Sequence, residues 1–106
     1  MSGYLQVSTA TATREEAVRL AGSAVSAGLA AGAQVVGPVV SVFWHEGQYG
    51  EGEEWQVVLK TTEHCYAELE AYLLQNHSWG NPEVSATPIT AGSAGYLDWL
   101  DRTTKN

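Results

Sequence analysis

Few residues in this chain can ligate a metal or attack a substrate: three histidines, one cysteine and twelve carboxylates, against five basic residues. A transition-metal site needs three or four convergent N, S or O ligands. His64 and Cys65 are neighbours at the predicted start of a helix, so their side chains diverge by about 100° and would need further ligands from elsewhere. His45 and Glu46, at a predicted strand end, diverge as well. His77 and Glu83 flank a short Gly-Pro-containing loop and can converge. No His-x-x-x-His or Cys-x-x-Cys spacing occurs. A helix N-terminus favours a reactive thiol, but the histidine nearest Cys65 in sequence is its immediate neighbour, and catalytic pairs are assembled across a fold. No enzyme is expected on these grounds. Gly47, Gly50 and Gly52 suggest a phosphate loop, which requires a helix directly after it. Here a strand follows, and Glu46, Glu51, Glu53 and Glu54 surround the glycines and would repel phosphate.

The elements that must position these groups centre on Val35–Thr62, VVGPVVSVFWHEGQYGEGEEWQVVLKTT. It reads as two long strands folded back on a Gly-rich turn over Glu46–Glu54. Val39, Phe43 and His45 alternate with Val40, Val42 and Trp44; Trp55, Val57 and Leu59 alternate with Gln56, Val58 and Lys60. A half-solvated hairpin is apolar on one face only, so this one needs two covers. Gly37-Pro38 predicts a bulge or bend, because proline has no amide hydrogen.

Before the hairpin, Gly3–Thr9 reads as a strand, and Thr11–Thr13 as a break. Thr13 and Glu16 form a capping box for a helix to about Gly28 with a stripe of small apolar residues. After it, Thr61 or Thr62 caps a helix to about Asn76, with Tyr66, Leu69 and Leu73 on one face and Cys65 partly exposed. Glu83–Thr90 is the last strand. Ser93 caps a short helix, GYLDWLDR, and the tail from Thr103 is expected to fray. The order β-α-β-β-α-β-α predicts an α+β, ferredoxin-like sandwich in a single domain, residues 1–106: a four-stranded antiparallel sheet with helices on one face and a short C-terminal helix. The bare face carries Val and Trp and predicts oligomerisation.

A formal net charge of −7 argues against nucleic acid and anionic membrane surfaces. One cysteine excludes an intrachain disulfide. With no apparent leader and no apolar run of about 20 residues, a cytosolic, cytoplasmic protein is expected.

Four pieces carry a family resemblance: LAAGAQVVGPVVSVFWHEG (Leu29–Gly47), EEWQVVLKTT (Glu53–Thr62), NHSWGNPEV (Asn76–Val84) and GYLDWL (Gly95–Leu100). In this order and spacing the sequence resembles the CutA family, named for divalent-cation tolerance. The resemblance implies a ferredoxin-like homotrimer joined through its long central strands, no established reaction, no required cofactor, and copper or another divalent metal as a candidate ligand. Family copper ligands correspond to Ser8, Asn76 and His77 here; of these only His77 retains a ligating side chain of the family type, so His77 is the expected metal residue. Gly32 and Gln34 replace a family Cys and Asn, and Ser78-Trp79 a Pro-Tyr. Trp44, Lys60, His77 and Glu83 match aromatic or polar family positions near clefts between subunits and form the expected ligand-binding set. The plainer role for the same residues is a Lys60–Glu83 ion pair between subunits, with Trp44 packed at the interface. A rival function is a small-molecule sensor resembling the trimeric PII signalling proteins, and a third is a protein-binding scaffold.

Overall fold

The computed structural model describes residues 3–105. Its elements run β1 (Tyr4–Thr11), α1 (Arg14–Ser26), β2 (Gly32–His45), β3 (Gln48–Thr62), α2 (Glu63–Asn76), β4 (Ser85–Pro88) and α3 (Ala94–Thr103). The strands form one antiparallel sheet in the order β2-β3-β1-β4. That is the expected α+β, ferredoxin-like arrangement.

The core lies between the sheet and the first two helices. Val7, Val57 and Leu59 point from the sheet into Ala17, Ala21 and Ala24 of α1 and Leu69 and Leu73 of α2. The small residues of α1 let its backbone lie close to β2 and β3, while the leucines of α2 supply bulk. Thr13 caps α1 by accepting from the Glu16 amide at 3.2 Å. The helix ends in a Schellman motif: Leu29 N donates to Ala24 O, Gly28 N donates to Val25 O, and Gly28 takes φ 76°.

Several boundaries differ from the sequence reading. β1 continues through Thr11, because its last residues still pair with Gln56 and Trp55. β4 is only Ser85–Pro88. Thr62 occupies the N-cap position of α2, but its side chain makes no capping bond. The tail does not fray through Thr104 and Lys105: Thr104 is buried, Lys105 N donates to Gly28 O at 2.8 Å, and Lys105 Nζ reaches Glu68 at 3.0 Å.

The largest correction is at the hairpin. The Gly-rich segment is strand, and the turn is only Glu46-Gly47, with φ 52° and 79°, a two-residue loop of the type I′ kind. β2 and β3 pair from Gly32–Lys60 to His45–Gln48, interrupted between Val36 and Val39, where Gly37-Pro38 makes the expected bulge. β1 ends opposite Trp55. Beyond that row the hairpin continues as a two-stranded arm. Its β2 strand exposes Val40, Val42, Phe43 and Trp44; its β3 strand is mostly Glu and Gly, with Tyr49 against Trp44 in an edge-on contact at 6.0 Å.

α3 does not join the other helices. Tyr4 lies on the sheet face away from the core, and its hydroxyl donates to Asp101 Oδ2 at 2.8 Å. Gly32 belongs to the same face, and a side chain there would meet the Trp99 ring at 3.3 Å. The third helix therefore covers part of the second sheet face.

Candidate functional site: a groove beside the hairpin arm

Where β1 stops, the loop that follows α2 takes its place beside the arm. The two enclose a groove of about 640 Å³, lined by Phe43, Trp44, His45 and Glu54 from the arm and by Ser78, Trp79, Gly80, Asn81 and Glu83 from the loop. The walls are aromatic, and the charge is carboxylate. Glu54 accepts from Ser41 Oγ at 2.8 Å, and Glu83 from Ser85 Oγ at 2.7 Å. Both carboxylates keep further lone pairs for a ligand. The strands fix Phe43, Trp44, His45 and Glu54 by register. The loop is fixed by the residue before it.

That residue is His77. Its side chain is fully enclosed, at 0% exposure. One ring nitrogen, Nε2, lies 2.7 Å from Ala10 O, and the other, Nδ1, accepts from Trp79 N at 3.0 Å. A carbonyl only accepts and a backbone amide only donates, so the ring is the neutral Nε2–H tautomer. Neither nitrogen has a lone pair to spare. While these bonds hold, the imidazole expected to ligate copper is a structural post. Glu16 completes the post. Its Oε2 accepts from Ser78 N and its Oε1 from Ser78 Oγ, each at 2.9 Å, and Oε2 stands 3.6 Å from His77 Nδ1. The capping box is therefore only half formed, with the Glu16 side chain spent on the loop. Nothing in the local sequence distinguishes that use of Glu16 from a helix cap.

Of the four expected ligand residues, Trp44 and Glu83 line the groove and His77 supports it from behind. Lys60 is elsewhere. It sits in the row Gly32–Lys60–Gln6, six residues along β3 from Glu54, roughly 20 Å of strand. Within one chain it cannot reach Glu83. Sequence reasoning missed Phe43, His45, Glu54 and Trp79 as groove residues, because a bulge and a two-residue turn had to be placed before the register of the arm could be counted. His64 is exposed, whereas Cys65 is 3% exposed and its thiol donates to Lys105 O at 3.0 Å. That corrects the expectation of a partly exposed, reactive thiol. Among the described residues no cluster of three or more His, Cys, Asp or Glu is placed to hold a metal ion.

The family model for the CutA1 divalent ion tolerance protein matches residues 5–103. The chain belongs to the CutA1 family. Protein CutA 1, chloroplastic, from Oryza sativa is 38% identical over 92 residues, 87% of this chain and 52% of the rice protein. The chain thus spans about half the length of that relative. The divalent-cation tolerance protein CutA of Archaeoglobus fulgidus is 35% identical over 89 residues, 84% of this chain and 86% of its own. The crystal structure of CutA1 from Oryza sativa superposes with a TM-score of 0.94 at 35% identity, covering 98% of this chain and 95% of that one. A structure of the periplasmic CutA from Archaeoglobus fulgidus superposes at 0.92 with 30% identity, covering 96% and 99%.

These CutA1 relatives overturn the cytoplasmic expectation, since they are described as chloroplastic and periplasmic. Cys65 is kept from pairing by its burial, in whatever redox environment the protein works. Among the described residues no helix is long and apolar enough to cross a membrane.

Proposed function

We propose that this CutA1 protein is a non-enzymatic homotrimer that contributes to divalent-ion tolerance, taking up a divalent cation, copper among them, weakly in the groove beside the arm. The observation that carries the reading is the groove itself: Glu54, Glu83 and His45 line a space of about 640 Å³ beside an arm that leaves apolar surface uncovered. Weak binding follows from the arrangement, because a tight transition-metal site needs more convergent ligands than this groove brings together. A net charge of −7 raises the local concentration of cations around it. Catalysis has no support in the ligating residues: the thiol is buried against a carbonyl, and both nitrogens of His77 are engaged.

In the trimer, the arm of one subunit would lie against the next, and the groove would open into the cleft between them. Lys60 meets Glu83 only if a neighbouring chain supplies one of the two, as an ion pair or as opposite walls of the cleft. Titration of the assembled protein with copper by calorimetry tests the metal reading. Binding weakened in Glu54→Gln/Glu83→Gln and retained in Lys60→Gln is the expected result. Binding unchanged in the double variant removes the groove as the site.

The PII-like sensor keeps one supporting observation: the groove has the volume of a small-molecule pocket, commonly about 300–1,000 Å³, with aromatic walls. Its carboxylates favour a cationic or neutral ligand over a nucleotide. Ligand density in the cleft of crystals grown from cell extract would move the reading in that direction.

A further inference from the structure

The divalent-ion reading uses the carboxylates of the groove and gives its aromatic walls no role. A hard divalent cation binds oxygen and gains little from an indole or phenyl ring. We propose that the groove also takes an alkylated ammonium ion, a small organic cation packed on the rings and neutralised by Glu54 and Glu83. This second class of ligand rests on the same groove as the metal reading.

The charge suits a cation. Glu54 and Glu83 line the groove, and no Lys or Arg lines it with them. Ser41 Oγ donates to Glu54 Oε1 at 2.8 Å, and Ser85 Oγ donates to Glu83 Oε2 at 2.7 Å. The two serines orient the carboxylates without neutralising them. Among the described residues, neither Glu54 nor Glu83 takes part in an ion pair. Glu54 is half-buried, and a charge withdrawn from water is costly without a counter-ion.

The rings are held in place before a ligand arrives. Phe43 rests over Gly50, where an added side chain would come within 2.9 Å of its Cε1. Trp44 meets Tyr49 edge-on at 6.0 Å. Trp79 lies 5.1 Å from the imidazole of His77, which is itself bonded through both nitrogens. The face of an aromatic ring attracts a cation within about 6 Å of its centroid. On the arm, Val39 pairs with Glu54 and Phe43 with Gly50, so alternation puts Glu54, Ser41 and Phe43 on one face. A carboxylate and an aromatic ring thus border the same space. An alkylated ammonium ion matches both: its charge meets the carboxylate, and its alkyl groups pack on the ring without needing further hydrogen-bond acceptors. The groove's volume of about 640 Å³ leaves room beside the charged group for the rest of a small molecule.

The test titrates the natural, assembled protein with tetramethylammonium chloride by calorimetry. Ammonium chloride at the same ionic strength is the comparison, because it carries the same charge and no alkyl groups. The expected result is saturable tetramethylammonium binding, about tenfold tighter than that of ammonium. Glu54→Gln removes the charge, and Phe43→Leu and Trp79→Leu keep apolar bulk but remove a ring. Each should weaken binding by about three- to tenfold. The two ring variants lie on different elements, so a folding defect in one leaves the other to be read. Absence of saturable binding, equal affinity for the two ions, or unchanged affinity in both ring variants would overturn the ammonium site. Copper is titrated separately into the same protein. Copper binding without tetramethylammonium binding overturns the ammonium site and leaves the metal reading standing; tetramethylammonium binding without copper binding does the reverse.

Discussion

His77 shows how far a residue type can be from its apparent role. By sequence it is the family-type metal residue next to a Pro-containing loop, and no other retained ligand competes with it. In the fold both its nitrogens are committed, and its work is to hold the loop. His77→Ala is expected to cost about 2–3 kcal/mol, from a lost buried ring and the unpaired Ala10 carbonyl and Trp79 amide. Urea unfolding measures this, and a cost within error of zero would remove the post. Cys65 is similar: its place in the chain suggested reactivity, and its burial predicts that a thiol reagent labels the native protein far more slowly than the unfolded one. Tyr66 carries a pH prediction. Burial, then the hydrogen bond to Glu70 and the charge of that carboxylate, hold its phenol above the ordinary value of 10.0. A raised value in the folded state contributes stability that is complete below pH 10 and is lost as pH rises through the folded value. Tyr66→Phe should therefore flatten the decline in melting temperature above pH 10.

Elements were legible where a local rule decides them. Thr13 and Ser93 cap helices through their side chains as expected, accepting from the Glu16 and Tyr96 amides. Gly37-Pro38 interrupts the β2–β3 register as a missing amide requires. The arm was misread because glycine is a turn signal only where the backbone needs it. Gly50 lies under the Phe43 ring, where a side chain would come within 2.9 Å of Cε1, and Gly37 lies against Trp55, where it would come within 2.6 Å. These glycines admit aromatic rings to the strand surface. Gly37→Ala should cost about 1–3 kcal/mol, since both the Trp55 ring and the Glu54 carbonyl crowd the added carbon. A variant with an unchanged melting temperature would contradict this contact. The position of α3 was also out of reach. A short helix with large apolar residues is not stable alone, but which sheet face receives it depends on long-range contacts such as Tyr4 with Asp101.

At the scale of the molecule, the chain extends 44 × 25 × 21 Å, and the length comes from an arm that its own helices do not cover. Val40 and Trp44 are 75% and 76% exposed, Val42 61% and Tyr49 60%. An exposed apolar strip on paired strands is an interaction surface, and a second and third copy of this chain are its proposed covers. The two-cover argument read from Val35–Thr62 survives in altered form: α3 takes part of one face, and the uncovered remainder is concentrated on the β2 side of the arm. Part of the groove was readable, since Trp44 and Glu83 both line it; Lys60 sits six residues along β3 from Glu54 and does not line it. Multi-angle light scattering at micromolar concentration, on the natural chain and on Trp44→Asp, tests the assembly most directly. The account predicts about three times the 11.3 kDa chain mass for the natural protein and a lower mass for the variant. A natural chain that runs as an 11.3 kDa monomer, or a variant that assembles unchanged, would contradict it.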